Sequence, residues 1–308
     1  MASPTTSGSE TPIIVLAGAT GDLGLRIARY LVRRGATVRV LARQGHGSPA
    51  VAMLRELGVE LIEVDFNSVA ALQQACTGAA CMVSALSGLR EVIVDAQKRL
   101  LDAAVAAGVP RFIPSDYCID YTKLPAGSNR NLDLRRKFNQ RLDQAPIQAT
   151  SILNGMFTDL LTGQAPVILF GLKRVVYWGS ADQPLDFTTI ENTAAFAAAA
   201  ALDPTTPRYL RIAGEVATIR NLQAAATAAT GQPFRLLWAG SVGVLGAMSK
   251  LTKALMPTSN DVFPPWQGMQ YLHNMFTGKP KLAPLDNGRY SEIHWTSVKE
   301  VLATRPKS

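Results

Sequence analysis

Along the first half of the chain, short unbroken apolar runs alternate with longer stretches whose apolar residues recur three and four apart. Residues 12–17 (PIIVLA) form the first run, with the character of a central parallel strand buried on both faces. Residues 23–34 follow with Leu23, Ile27 and Leu31 on one stripe, a helix stopped by Gly35. The same alternation predicts strands over 37–42, 59–64, 81–86 and 111–114, and helices over 49–57, 69–76 and 90–107. Five strands alternating with helices predict an α/β, Rossmann-type doubly wound parallel sheet with right-handed crossovers.

The pattern loosens after residue 120. A helix is expected over 133–144 and a sixth strand over 149–153. Proline and glycine then punctuate shorter elements: strands at 174–178 and 209–212, helices near 191–202 and 219–230. This predicts a polar tail over 1–10, a dinucleotide-binding core over 11–155, and a smaller C-terminal substrate-binding portion over 156–308, interwoven with the core.

Composition narrows the class. Of 308 residues, 47% are hydrophobic and 18% charged, an ordinary globular balance. No apolar run reaches the roughly 18–20 residues needed to cross a bilayer, and the alanine-rich stretch near 194–202 reads as a buried helix. The polar opening has none of the features of a targeting peptide. Cys76, Cys81 and Cys118 fit neither a disulfide ladder nor a metal motif, which suits a reducing compartment and a cytoplasmic expectation. His46, His273 and His294 form no ligand pattern, so no metal is expected. The net charge of +8 is scattered apart from Arg130, Arg135, Arg136, Lys137 and Arg141. Without a nucleic-acid motif beside it, it suits a multiply phosphorylated cofactor better than nucleic acid.

The strongest chemical signal is the GATGDLG run from Gly18 to Gly24, placed between the first strand and the first helix. Glycines there allow backbone to approach phosphate, and the helix N-terminus supplies free N–H groups and partial positive charge. Gly18, Thr20, Gly21, Asp22, Leu23 and Gly24 are therefore candidate cofactor contacts. At the end of the second strand, an acid would accept from a ribose 2′-hydroxyl and repel a phosphate. This chain has Arg43 there, either a forked contact to the 2′-phosphate of NADP or a solvated arginine, with Arg26 and His46 as assistants. NADPH is the expected cofactor. Ligands sit at the carboxyl ends of the strands. That rule places Asp65 and Phe66 by the adenine, Ser84, Ala85 and Leu86 by the nicotinamide ribose, and Ser115 and Asn154 nearby.

These residues give the chain a recognisable character. It resembles the NmrA-like and isoflavone-reductase-like family of atypical short-chain dehydrogenases/reductases, through GATGDLG, VLAR (40–43), LGVELIEVDF (57–66), VSALSG (83–88) and AAGVPRFIPSDY (106–117). The resemblance implies NADPH binding. In the reductase branch it implies reduction of small aromatic or carbonyl-type compounds, and in the NmrA branch redox-sensing regulators without evident turnover. Reductases of this family carry a lysine on the helix after the fifth strand, preceded by a PSEFG-like turn. Here the turn is PSDYCID with Cys118 at the glycine position, and the lysine's place falls on Arg135, with Lys137 and Lys123 as alternatives. Arginine cannot relay a proton as a lysine of lowered pKa can, but it can stabilise an oxyanion. Tyr117 is either a proton donor or a packed core residue, since no Tyr-x-x-x-Lys pair is present. Trp266, Met269, Tyr271, Met275 and Phe276 suit either an apolar substrate wall or ordinary core. The expected function is reduction of a small apolar carbonyl, quinone or enone by NADPH. The alternative is an NADP(H)-sensing regulator with a protein partner.

Overall fold

The computed structural model describes residues 11–43, 45, 48–256 and 260–305. The expected apolar runs become β1 (Ile13–Ala17), β2 (Thr37–Arg43), β3 (Glu60–Val64), β4 (Cys81–Ser84) and β5 (Arg111–Ile113). With β6 (Gln148–Ala149) they form one sheet in the order β3-β2-β1-β4-β5-β6, every pairing parallel. The chain leaves β1 toward β3, then restarts at β4 on the other side. This reversal opens a crevice at the carboxyl edge of the strands.

Both faces of the sheet are covered, which explains the unbroken apolar runs. On one face Ile14, Leu16, Val83 and Ile113 pack against α1 (Asp22–Arg33) and the alanine-rich α6 (Ile190–Leu202). On the other, Val15, Met82 and Phe112 meet α3 (Val69–Cys76), α4 (Gln97–Ala106) and α5 (Arg130–Leu142). Small residues let α6 come close: Ala194 through Ala201 are all buried. A third cluster, from Cys118 to Leu302, forms the core of the C-terminal portion beneath α7 (Ile219–Thr230), α9 (Pro265–Phe276) and α10 (Val298–Ala303). No helix among the described residues is long and apolar enough to cross a membrane.

Three elements differ from expectation, each for an identifiable physical reason. The sixth strand is cut at Thr150. Its first half stays beside β5, while β7 (Ser151–Leu153) pairs instead with β12 (Tyr209–Arg211). The backbone changes partners there, with Thr150 N–H donating to Phe112 O and Ser151 N–H to Arg208 O. The helix expected from residue 133 begins at Arg130, because the Asn129 side chain accepts from the N–H groups of Asn131 and Leu132. The helix expected over 90–107 opens with a π-helical stretch, Glu91–Ala96, before α4. The wider turn sets the Gln97 side chain inward, fully buried.

Candidate active site

The turn after β1 shows why glycine stands at 18, 21 and 24. Gly18 has a φ of +86°, and a Cβ there would lie 2.6 Å from the backbone of Ala85. At Gly24 a Cβ would lie 2.2 Å from Gly18 O. These two glycines let the turn, α1 and the end of β4 touch. Gly21 is different. It has φ −86°, which any residue adopts, and an added Cβ would meet only Gly18 O at 3.5 Å. The protein itself leaves the space over Gly21 open. Gly21 is also the N-cap of α1 and offers no side-chain cap, whereas Ser, Thr or Asn side chains cap α3, α5, α6, α7, α8 (Val242–Leu255) and α10. Uncapped N–H groups and open space are what a pyrophosphate needs. Thr20 and Asp22 lie exposed on this turn, and Leu23 is half-buried beside it.

Hydrogen bonds carry the edge onward to the fifth strand. Ser115 Oγ donates to Leu86 O at 2.6 Å, and Ser115 N–H donates to the buried Gln97 Oε1 at 2.9 Å. Arg135 Nε donates to Ser115 O at 3.1 Å and its Nη1 to Asn131 O at 3.2 Å. Leu86, Ser115 and Arg135 thus form one connected line beside the glycine turn. Gln97 joins it with no recognisable motif, because only the π-helical turn brings it inward. Behind the line, the buried Asp116 Oδ2 accepts from Tyr121, Asn139 and Ser151 at 3.1, 2.8 and 2.7 Å. This holds the loop after β5 rigidly against α5 and β7.

Arg135 forms no ion pair with a carboxylate among the described residues. Burial opposes its charge, yet Tyr271, Cys118, Asp116 and Tyr121 around it raise its pKa. It is a cation at every working pH, with guanidinium hydrogens left over after its two backbone contacts.

The remaining candidates divide. Arg43 is exposed at the carboxyl end of β2, where a 2′-phosphate would be met. Its proposed assistant Arg26 is engaged elsewhere: Nε pairs with Asp22 at 2.7 Å and Nη1 with Glu191 at 2.5 Å. His46 lies outside the described residues. Asp65 Oδ1 accepts from Asn67 N–H in the turn after β3, and Phe66 packs partly against the α3–α4 side. Ser84 is fully buried, with its hydroxyl unpartnered. Asn154 is fully buried, its Nδ2 donating to Thr193 on α6 at 3.2 Å and its Oδ1 without a partner among the described residues. Tyr117 is buried in the core cluster that holds Leu16, Cys81 and Ile152. Burial, with Cys81 and Asp116 nearby, pushes its phenol far above the usual range. Its hydroxyl is buried without a hydrogen-bond partner among the described residues, the packed alternative of the two expected for it. Lys137 is exposed on another face of α5 from Arg135, and Lys123 donates to Lys281 O at 2.6 Å. Cys118 is an inert thiol, pushed up to about 12 by burial.

Of the aromatic and Met-rich stretch, Trp266, Met275 and Phe276 are core. Met269 and Tyr271 keep some accessible surface, and Tyr271 stands by Arg135.

The profile of the NmrA-like family matches residues 10–245. Pinoresinol reductase 1 of Arabidopsis thaliana is 27% identical over 213 residues, covering 64% of this chain and 67% of its own. The solved structure of AtPrR2 with NADP+ and (+)-pinoresinol superposes with a TM-score of 0.80 at 20% identity, covering 96% of this chain and 99% of that one. The binary complex of leucoanthocyanidin reductase with NADPH from Vitis vinifera gives 0.79 at 17% identity, covering 94% and 98%.

Proposed function

We propose that this chain, which belongs to the NmrA-like family, is an NADPH-dependent reductase of a small apolar carbonyl, quinone or enone. The observation that carries the reading is Arg135, a cation without a carboxylate partner among the described residues, tied through Ser115 and Leu86 to the edge where the glycine turn lies. The turn suits the cofactor's pyrophosphate: Gly21 leaves the space, α1 offers its free N–H groups, and Gly18 and Gly24 hold the surrounding backbone in place. Arg43, standing in sequence where an acid would select a bare ribose, favours the 2′-phosphate of NADPH. The reductase names among the relatives, two of them seen with NADP+ or NADPH, agree with this choice.

Bound NADPH supplies a hydride to the acceptor. The chain's own part is electrostatic. As negative charge develops on the acceptor oxygen, the Arg135 guanidinium stabilises it, acting where the surrounding protein excludes most water. Ser115 and Asn131 carbonyls orient that guanidinium, and Gln97 and Asp116 fix the loop bearing Ser115.

The test is NADPH oxidation, followed by absorbance, against a panel of quinones, enones and aromatic aldehydes, with cofactor binding followed by fluorescence. Turnover is expected. Arg135→Ala is expected to lower kcat by about a hundredfold, the scale of one oxyanion donor, with NADPH affinity retained. Tight NADPH binding, no turnover across the panel, and affinities for a protein partner that differ between NADPH and NADP+ would replace the reductase by a redox-sensing regulator.

A further inference from the structure

The Tyr271 ring packs against the core of the C-terminal portion, but no contact among the described residues accounts for its hydroxyl. It lies on α9, on the face that docks against the start of α5. There Gln267 Nε2 donates to Asn129 Oδ1 at 2.7 Å, Gln270 Oε1 accepts from Arg130 N–H at 3.1 Å, and Asn274 meets Asn129 at 3.4 Å. Residues 267, 270, 271 and 274 share one helical face, so this docking directs Tyr271 at α5 as well. Its hydroxyl makes no hydrogen bond among the described residues, unlike those of Tyr30, Tyr121 and Tyr290. Arg135 and Tyr271 are each other's strongest electrostatic partner. Both are surrounded by protein, yet both retain accessible surface, as groups on the floor of a cleft do. Above Tyr271 stands Phe263, ring centroids 6.2 Å apart and 62% exposed. An exposed aromatic face beside two unsatisfied donors fits a planar aromatic ligand that presents one oxygen.

We infer that Tyr271 and Arg135 form a two-donor oxyanion site in which Tyr271 gives the proton to the acceptor oxygen of an aromatic carbonyl compound, with Phe263 as the wall for its ring. The assignment rests on the reductase reading of the same site. The carbonyl carbon takes a hydride from the reduced cofactor, and the C=O π pair moves to oxygen. That oxygen takes the Tyr271 proton to become a hydroxyl, and the tyrosinate left behind takes a proton from water. One two-electron oxidation of the cofactor balances one two-electron reduction of the carbonyl. Arg135 has a place at both stages, since its positive charge stabilises the developing alkoxide and then the tyrosinate. Burial, with a smaller push from Cys118, drives the Tyr271 phenol upward, and the neighbouring Arg135 and Arg130 oppose the rise. A phenol that stays protonated at neutral pH and is stabilised as an anion by a fixed cation suits a proton donor.

The experiment compares wild type, Tyr271→Phe and Arg135→Gln in two assays. The first is reduction of an aromatic aldehyde by NADPH. Tyr271→Phe is expected to lose about a hundredfold in kcat, with KM and NADPH affinity little changed and thermal stability retained. The second needs no turnover. 4-Nitrophenol is titrated into the protein–NADP+ complex, and the phenolate band is read at fixed pH. Wild type is expected to bind the phenolate preferentially, lowering the dye's apparent pKa. Tyr271→Phe and Arg135→Gln should each weaken phenolate binding by about tenfold or more, the effect of one charge-assisted hydrogen bond. If no aldehyde is reduced but both variants still lose phenolate binding, the reductase reading fails while the oxyanion site stands. If wild type and both variants bind the dye alike, or Tyr271→Phe leaves kcat unchanged, the assignment of Tyr271 is overturned.

Discussion

At the scale of single residues, the three glycines of the first turn divide into two kinds. Gly18 and Gly24 are required by the protein's own backbone, whereas Gly21 faces open space. The distinction can be measured. Gly24→Ala is expected to destabilise the fold by about 2 kcal/mol or more, since its Cβ meets fixed backbone and not a flexible side chain. Gly21→Ala is expected to keep its melting temperature within a degree or two and to lose NADPH affinity, read by fluorescence titration. Equal melting temperatures for the two variants would remove the distinction. The spacing of the glycines was legible from the chain because the turn is local. That the fold itself requires Gly18 was not, because that depends on Ala85, some sixty residues away. Arg26 shows the same division. Its Asp22 partner is one helical turn away and readable, but Glu191 reaches it only through the docking of α6.

At the scale of elements, α5 carries the site, and its position depends on its start. Asn129 is fully buried, caps the helix by accepting from Asn131 and Leu132, and accepts from Gln267 on α9. One side chain therefore sets both where α5 begins and how α9 lies over it. Asn129→Ala is expected to cost about 1–2 kcal/mol from the lost cap alone, and further from the unpaired amide of Gln267. Denaturant unfolding measures this. A loss below about half a kcal/mol would mean the α5–α9 junction is held by apolar packing instead. The cap was written in the chain as Asn-Arg-Asn-Leu, but the apolar pattern drew attention to residue 133 because the first turn of α5 carries polar residues that the tertiary fold buries. The π-helical opening before α4 was invisible for a related reason. Its periodicity reads as ordinary helix, and the wider turn is stabilised by Gln97 meeting Ser115, a contact across eighteen positions.

At the scale of the whole molecule, the last segment of the chain is fastened back onto the sheet-covering helix α6. Asp203, just beyond α6, accepts from Arg289 Nε at 2.8 Å and Tyr290 Oη at 2.9 Å, as well as from Thr205. The Tyr290 ring also packs on Phe196 with centroids 4.9 Å apart. Burial would raise the Asp203 pKa, but the donors from Thr205, Arg289 and Tyr290 outweigh it and hold the carboxyl well below the usual range. A depressed carboxylate stabilises the fold fully above its unfolded pKa of about 3.9, and the contribution fades as pH falls below that value toward the folded one. Asp203→Ala is therefore expected to lower stability at neutral pH by about 1 kcal/mol, and the gap from wild type should narrow as pH falls below about 4. Melting curves across pH read this directly. A gap that stayed constant in acid would assign the loss to packing and not to the charge.

The chain by itself determined whatever depends on neighbours in sequence: the alternation of strand and helix, the glycine turn, Arg43 in place of an acid, and the family signature from GATGDLG to PSDY. Local spacing fixes backbone hydrogen bonding and the face each side chain takes, so such features survive without knowledge of the fold. Tertiary structure decided the chemistry at the far end of the crevice. It sent Tyr117 into the core and Asn154 toward α6, and cut the sixth strand at Thr150. It also brought Tyr271 beside Arg135 across 136 positions of chain. Side chains that far apart meet only when a whole helix docks, and docking is set by the summed burial of apolar faces, which no short motif encodes.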